Sequence, residues 1–186
     1  MERRLILAAL ALLAVSARAQ QPAHKPFTYQ QVMVPVRDGV HLQTVILTPV
    51  DRHGPLPILF RRTPYGVPDS APSEIPTSLQ ALMADGYIFV IQNLRGRFKS
   101  EGDFKLTSQA NLADSTSTSE TTDAYDSIDW LLKNIPDNNG KVGMYGVSYD
   151  GLTTAMALLH PHPALKAISE QASPVDQCMN DDMHRF

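Results

Sequence analysis

Cysteine is almost missing from this sequence: Cys178 stands alone, so no disulfide can close within the chain, whatever the redox state of its compartment. Its ordinary reading is a small buried apolar side chain. An excess of positive charge is missing too. The formal net charge is −3 and the lysines and arginines are dispersed, which leaves no basic stripe for nucleic acid and no cationic face for a membrane. A spanning helix needs about 20 apolar residues, and the longest apolar run, Leu5 to Val15, falls well short. There is no internal repeat, so a repeat array is excluded. What remains is 43% hydrophobic, ample for a core.

That short apolar run follows Arg3 and Arg4 and precedes Ala17-Arg18-Ala19, the pattern of a signal peptide over residues 1–19 with cleavage before Gln20. Residues 20–31, with Pro22 and Pro26, read as a linker. The expectation is export to a bacterial periplasm or beyond, with residues 32–186 as the N-terminal part of a larger domain. Large α/β domains commonly run to about 200 to 250 residues. The shorter mature chain therefore reads as the N-terminal part of a longer enzyme.

Along the chain, Val32–Val36 and Val40–Leu47 flank Arg37-Asp38-Gly39, and Asp-Gly between alternating runs predicts an antiparallel hairpin. Pro57–Arg62 and Tyr87–Gln92 read as the third and fourth strands, joined by a crossover helix over Leu79–Asp85 that Gly86 ends. Residues 110–122 are small and polar and read as a surface loop without chemistry. Thr122 is the expected N-cap of the next helix, whose Ala124, Ile128, Leu131 and Ile135 share one face. Asp123, Asp126 and Asp129 recur every three residues on that helix, which suggests a metal site, but they read as its solvated side. An antiparallel opening pair followed by alternating strands and helices is the start of an α/β-hydrolase sheet.

The densest signal is Gly146-Val147-Ser148-Tyr149-Asp150-Gly151. Before it, Lys141–Val147 reads as a buried strand; after it, Leu152, Ala155, Met156 and Leu159 recur at helical spacing until Pro161. Ser148 thus sits at a strand-to-helix turn, where a hydrolytic nucleophile is held and small neighbours relieve backbone crowding. The spacing is G-x-S-x-x-G rather than G-x-S-x-G, with Asp150 in the second glycine's place. A serine at a helix start also reads as an N-cap.

This hexapeptide, with Tyr after Ser, resembles the cocaine esterase and X-Pro dipeptidyl-peptidase-like group of serine hydrolases. Arg62-Thr63-Pro64-Tyr65-Gly66, Leu94–Arg97 with Ser100-Glu101-Gly102, and Thr122–Leu131 are similar to that family's other landmarks, in the same order. Within the group, Asn139–Met144 and Pro161–Lys166 most resemble the α-amino acid ester hydrolases. The resemblance implies an α/β-hydrolase fold truncated after the strand that follows the nucleophile helix.

A serine hydroxyl becomes nucleophilic when a histidine, oriented by a carboxylate, takes its proton. His160 and His162 flank Pro161 at the far end of the elbow helix, about a dozen residues away, or roughly 18 Å. His184 and the acids Asp176, Asp181 and Asp182 fit no better. The resemblance implies that the triad acid and histidine lie beyond residue 186. The backbone N–H of Tyr149, at the helix start, is the first expected oxyanion donor. The resemblance assigns the second to the Tyr65 hydroxyl, a residue that otherwise reads as a turn aromatic after Pro64. It also assigns Asp182 to a carboxylate cluster that binds the substrate's α-ammonium group, where the plain reading is a solvated loop acid.

The expected function is cleavage of esters or amides through an acyl-enzyme on Ser148, on α-amino acid esters and β-lactam antibiotics with an α-amino acyl group. Within the class, the alternatives are an X-Pro dipeptidyl-peptidase and a cocaine-esterase-like carboxylesterase. From another class, the alternative is an inactive truncated remnant or non-catalytic binding module, and this chain alone is expected to be inactive because its base and acid are missing. The expected partner is a small ester or amide, with no cofactor, no metal, no nucleic acid and no membrane. Homo-oligomerisation stays open for a full-length enzyme.

Overall fold

A computed structural model describes residues 26–73, 76–105, 111, 114 and 116–175. The expected signal peptide, Cys178 and Asp182 lie outside the described residues. Within them, six strands form one sheet in the order β1-β2-β4-β3-β5-β6. They are β1 (Phe27–Pro35), β2 (His41–Pro49), β3 (Leu56–Thr63), β4 (Ile88–Asn93), β5 (Asn138–Val147) and β6 (Leu165–Gln171). The hairpin β1-β2 and the β2-β4 pair are antiparallel, and β4, β3, β5 and β6 run parallel. Gly39 takes φ 82° at the hairpin turn, a conformation that Asp-Gly supplies cheaply.

Three helices cross over between the parallel strands. Helix α1 (Gln80–Asp85) follows a 3₁₀ turn at Thr77–Leu79, α2 is Glu120–Asn134, and α3 (Tyr149–Met156) runs into a second 3₁₀ turn at Ala157–Leu159. Because strand side chains alternate, β3 sends Ile58 and Phe60 to one face and Leu59 to the other. On the first face they pack with Ala124, Ile128, Leu131 and Ile135 of the α2 segment and with Val142 and Met144 of β5. On the second, Leu59 joins Phe27, Val45, Leu47 and Phe89, covered by Leu79, Leu82 and Met83 beside α1. At about 25 cal/mol per Å² of apolar surface removed from water, this double-sided burial is the main stabilising term. No helix of the described residues is long and apolar enough to cross a membrane.

Two expectations about α2 fail. Its N-cap is Ser119, not Thr122: the Ser119 hydroxyl accepts from the Thr122 N–H, and the Thr122 hydroxyl accepts in return from the Ser119 N–H. Thr122 therefore closes a capping box from the third helical position. Nor is the end of the polar stretch 110–122 a surface loop, since Ser119, Glu120, Thr121 and Thr122 are all buried. The aspartates differ from expectation as well. Asp123 is 1% exposed and held by arginines, Asp126 pairs with Arg37 at 2.8 Å, and Asp129 alone keeps a half-exposed side chain. No metal-binding group of His, Cys, Asp or Glu occurs among the described residues.

Candidate active site

The elbow is built by three backbone approaches. Strand β5 ends at Val147 and α3 begins at Tyr149, leaving Ser148 between them at φ 59° and ψ −124°. A non-glycine residue there costs on the order of 1–3 kcal/mol, so the surroundings must over-determine it. They do so by accepting the Ser148 N–H at Gln171 O (2.9 Å) on β6, and by engaging the Ser148 carbonyl with the Leu152 N–H (3.0 Å). Two glycines make room. A Cβ on Gly146 would stand 2.1 Å from the Asp150 carbonyl oxygen, and one on Gly151 2.8 Å from Gln171 O.

The N-cap reading of Ser148 separates here into backbone and side chain. Its carbonyl takes the first bond of α3, but its hydroxyl makes no capping hydrogen bond. The residue is exposed. The strained turn therefore lifts the hydroxyl out of the helix's own bonding and presents it at the carboxyl ends of the parallel strands.

Tyr149 follows Ser148 directly, and Tyr65 lies near enough to act on the Tyr149 phenol. Tyr149 opens α3, and its half-buried phenol is pushed up to about 12 by burial, then by the nearby Glu120 and Tyr65, with Arg62 opposing. Tyr65 follows β3, is 63% exposed, and has its N–H accepted by the Thr63 hydroxyl at 3.2 Å. The loop after β4 supports both. Arg97 donates to the Pro64 carbonyl at 3.1 Å and lies over the Phe104 ring at 5.2 Å, and Phe104 packs on Tyr149 with centroids 6.1 Å apart. Ser148 and Tyr149 thus follow β5 and Tyr65 follows β3, at the carboxyl ends of two neighbouring strands in the interior of the sheet.

His160 and His162 are engaged elsewhere. Their rings pack on Tyr125 of α2, at 5.0 and 4.7 Å between centroids, and His162 Nδ1 accepts the Ala164 N–H at 3.1 Å. Burial holds the His162 imidazole below its usual value, partly offset by Asp129.

A buried charged network behind the elbow escaped sequence reasoning. Arg62, fully buried at the end of β3, donates to the Glu120 carboxylate (2.7 Å), the Glu120 carbonyl (2.8 Å) and Gln92 (2.9 Å). Burial pushes the Glu120 carboxyl up, and Arg62 opposes that shift. Arg95 then bridges Asp123 (2.7 Å) and Asp38 (2.6 Å), and a charged cleft of about 520 Å³ opens beside this pair. None of its lining residues belongs to the elbow. Buried charges are tolerable only when paired, so this network fixes where α2 starts relative to β3. Arg62 sits within a quoted landmark, but nothing in the sequence names partners 58 and 61 residues away.

A mostly parallel sheet with an exposed serine lifted on a strained strand-to-helix turn defines the fold class as that of the α/β-hydrolases. More narrowly, the chain belongs to the X-Pro dipeptidyl-peptidase (S15) family, whose model matches residues 38–185. It is 38% identical over 146 residues to the cocaine esterase of a Rhodococcus species, covering 78% of this chain and 23% of that protein. A putative serine esterase of Mycobacterium bovis is 25% identical over 169 residues, covering 82% and 26%. Among solved structures, an aminopeptidase from a Thaumarchaeota archaeon superposes with TM-score 0.76 at 38% identity, covering 89% of this chain and 28% of that one. An α-amino acid ester hydrolase gives 0.77 at 36%, covering 89% and 29%. The chain thus spans about a quarter of the length of the curated relatives it matches.

Proposed function

We propose that this chain supplies the nucleophile and oxyanion hole of an esterase or amidase working through an acyl-enzyme on Ser148. One observation carries the reading: Ser148 is held at φ 59° with its hydroxyl exposed and outside the helix cap. In the first step Ser148 Oγ bonds to the scissile carbonyl carbon as a base removes the hydroxyl proton, and the carbonyl π electrons move onto oxygen. The Tyr149 N–H and the Tyr65 hydroxyl receive that oxyanion as hydrogen-bond donors. Collapse expels the alcohol or amine with a proton, and water then releases the acid. The base and its carboxylate come from outside the described residues, since His160 and His162 are committed to Tyr125 and Ala164.

The substrate class is α-amino acid esters, together with β-lactams bearing an α-amino acyl group, with Asp182 receiving the ammonium. The names of two similar structures, an aminopeptidase and an α-amino acid ester hydrolase, support an aminoacyl substrate. The enzyme is exported by its first 19 residues. Comparing kcat/KM of the full-length enzyme for a phenylglycine ester and its des-amino analogue tests the substrate reading. A large preference for the amine is expected; equal values favour a general carboxylesterase like the cocaine esterase. Ser148→Ala should abolish turnover of both.

A further inference from the structure

Among the described residues Arg97 is the one arginine without an acid. Arg37, Arg52, Arg61, Arg62 and Arg95 each face a carboxylate at 3.2 Å or less. Arg97 instead makes a single side-chain hydrogen bond, from Nε to the Pro64 carbonyl at 3.1 Å. Its guanidinium lies over the Phe104 ring at 5.2 Å and the Phe98 ring at 5.6 Å, both within cation–π range. The rings engage the flat face of the group, while its Nη N–H donors meet no acceptor among the described residues. Pinning a long side chain costs rotamer freedom, and here backbone strain is added. Phe98 takes φ 53°, which a bulky residue seldom adopts, and its ring stays 64% exposed, so burial does not offset the strain.

The contacts locate this cation beside the elbow. Pro64 ends the segment just before Tyr65, and a Cβ on Gly66, just after it, would stand 3.1 Å from the Phe98 ring. On the other side Phe104, the ring under Arg97, packs on Tyr149 with centroids 6.1 Å apart. Arg97 is therefore held by the loop after β3 and, through Phe104, by the residue that follows Ser148. These loops lie at the carboxyl ends of parallel strands, where an open α/β sheet receives its ligands. We propose that Arg97 is a specificity-determining residue that receives a carboxylate on the leaving-group side of the substrate, as a planar fork fixed in advance for an anion. The acyl end of the proposed substrate carries an ammonium, which a guanidinium repels, so the carboxylate belongs to the other end. The substrate class narrows to esters and amides whose leaving group is itself an acid, as in a dipeptide. This rests on the reading of Ser148 as the nucleophile for α-amino acyl substrates.

The test uses the full-length enzyme and four esters: phenylglycine and phenylacetic acid, each joined to the phenol of 4-hydroxybenzoic acid or of 4-hydroxybenzamide. The two leaving groups match in shape and differ in charge. Wild-type kcat/KM should favour the carboxylate over the carboxamide by about 10- to 100-fold, the range for a hydrogen bond to a charged group, mostly through KM. That preference should shrink as salt is raised. Arg97→Met keeps an apolar stem against the rings and should remove the preference by slowing only the carboxylate esters; Arg97→Lys, a point charge, should keep part of it. Equal kcat/KM for the two leaving groups in wild type overturns the proposal. So does a preference that survives Arg97→Met, or an equal loss on both leaving groups, the mark of a residue that only staples the loop. Should Arg97→Met not fold, the wild-type preference, its salt dependence and Arg97→Lys still decide. The amine is judged separately: a carboxylate preference that holds in the phenylacetyl esters supports Arg97 even where the amine has no effect. Titrating Ser148→Ala with the same esters reads binding without turnover. If that variant still turns them over, the nucleophile reading fails while the binding ratio still judges Arg97.

Discussion

Replacing Gly146 by alanine should damage the elbow while leaving the rest of the sheet alone. The added Cβ would lie 2.1 Å from the Asp150 carbonyl oxygen and 2.2 Å from its carbon, against the 3.4 Å at which ordinary contact begins. Both are backbone atoms, so no rotamer change relieves the clash and the first turn of α3 must retreat by about 1.3 Å. That retreat pulls on the 2.9 Å bond from Ser148 to Gln171 and the 3.0 Å bond from Leu152 to Ser148. Overpacking of this kind costs roughly 1–3 kcal/mol. At about 2–4 °C per kcal/mol for a domain of this size, Tm should fall by about 2 to 12 °C. The Tyr149 N–H moves with the turn, and a misplacement of about 1 Å is worth up to ~10²-fold in reactivity. Gly143→Ala on the same strand is the control, because its Cβ meets Leu59 at 3.5 Å and Ala167 O at 3.8 Å, ordinary contacts. Thermal melts and the rate of fluorophosphonate labelling read out both variants. Matching Tm and labelling rate in Gly146→Ala and Gly143→Ala would refute the crowding argument.

Three further outcomes are expected. Ser119→Ala removes the N-cap acceptor of the α2 capping box and should cost about 1 kcal/mol, visible as a Tm drop of about 2–4 °C; Thr116→Ala, outside the helix, should cost less. His162 is held below its usual value by burial, so the folded state binds fewer protons than the unfolded chain. Its stability contribution is present above its unfolded value near 6.5 and lost as pH falls toward the lowered folded one, and His162→Asn should flatten that part of a Tm-versus-pH curve. Asp182→Asn should cost about 1.5 to 3 kcal/mol in kcat/KM on α-amino esters, the range for hydrogen bonds to charged groups, and little on des-amino analogues; equal losses would make Asp182 structural.

What the sequence made legible was local. Asp38-Gly39 announced the hairpin, the two apolar periods separated strands from helices, and Gly146 with Ser148 marked the elbow before any contact was known. The failures share one cause, which is that burial of a polar residue depends on partners distant in sequence. Asp123 looks solvated by period alone, and only the arrival of Arg62 and Arg95 at its side makes the buried position tolerable. The cap of α2 was misplaced because the stretch before it holds many residues able to cap. Tertiary burial selects Ser119, whose hydroxyl alone meets the Thr122 N–H. Asp150 departs from the common motif, and its 3.2 Å ion pair with Arg61, 89 residues earlier, appears only in the fold.

The role of Ser148 as nucleophile is tested most directly by fluorophosphonate labelling of the full-length enzyme, which includes the base beyond residue 186, followed by tryptic digestion and mass spectrometry. The peptide 142–166 contains Ser148 as its only serine. A stoichiometric phosphonyl adduct on that residue, blocked by substrate and lost in Ser148→Ala, is the expected result. An unmodified Ser148 in native protein, or an adduct that persists in Ser148→Ala, would contradict the assignment.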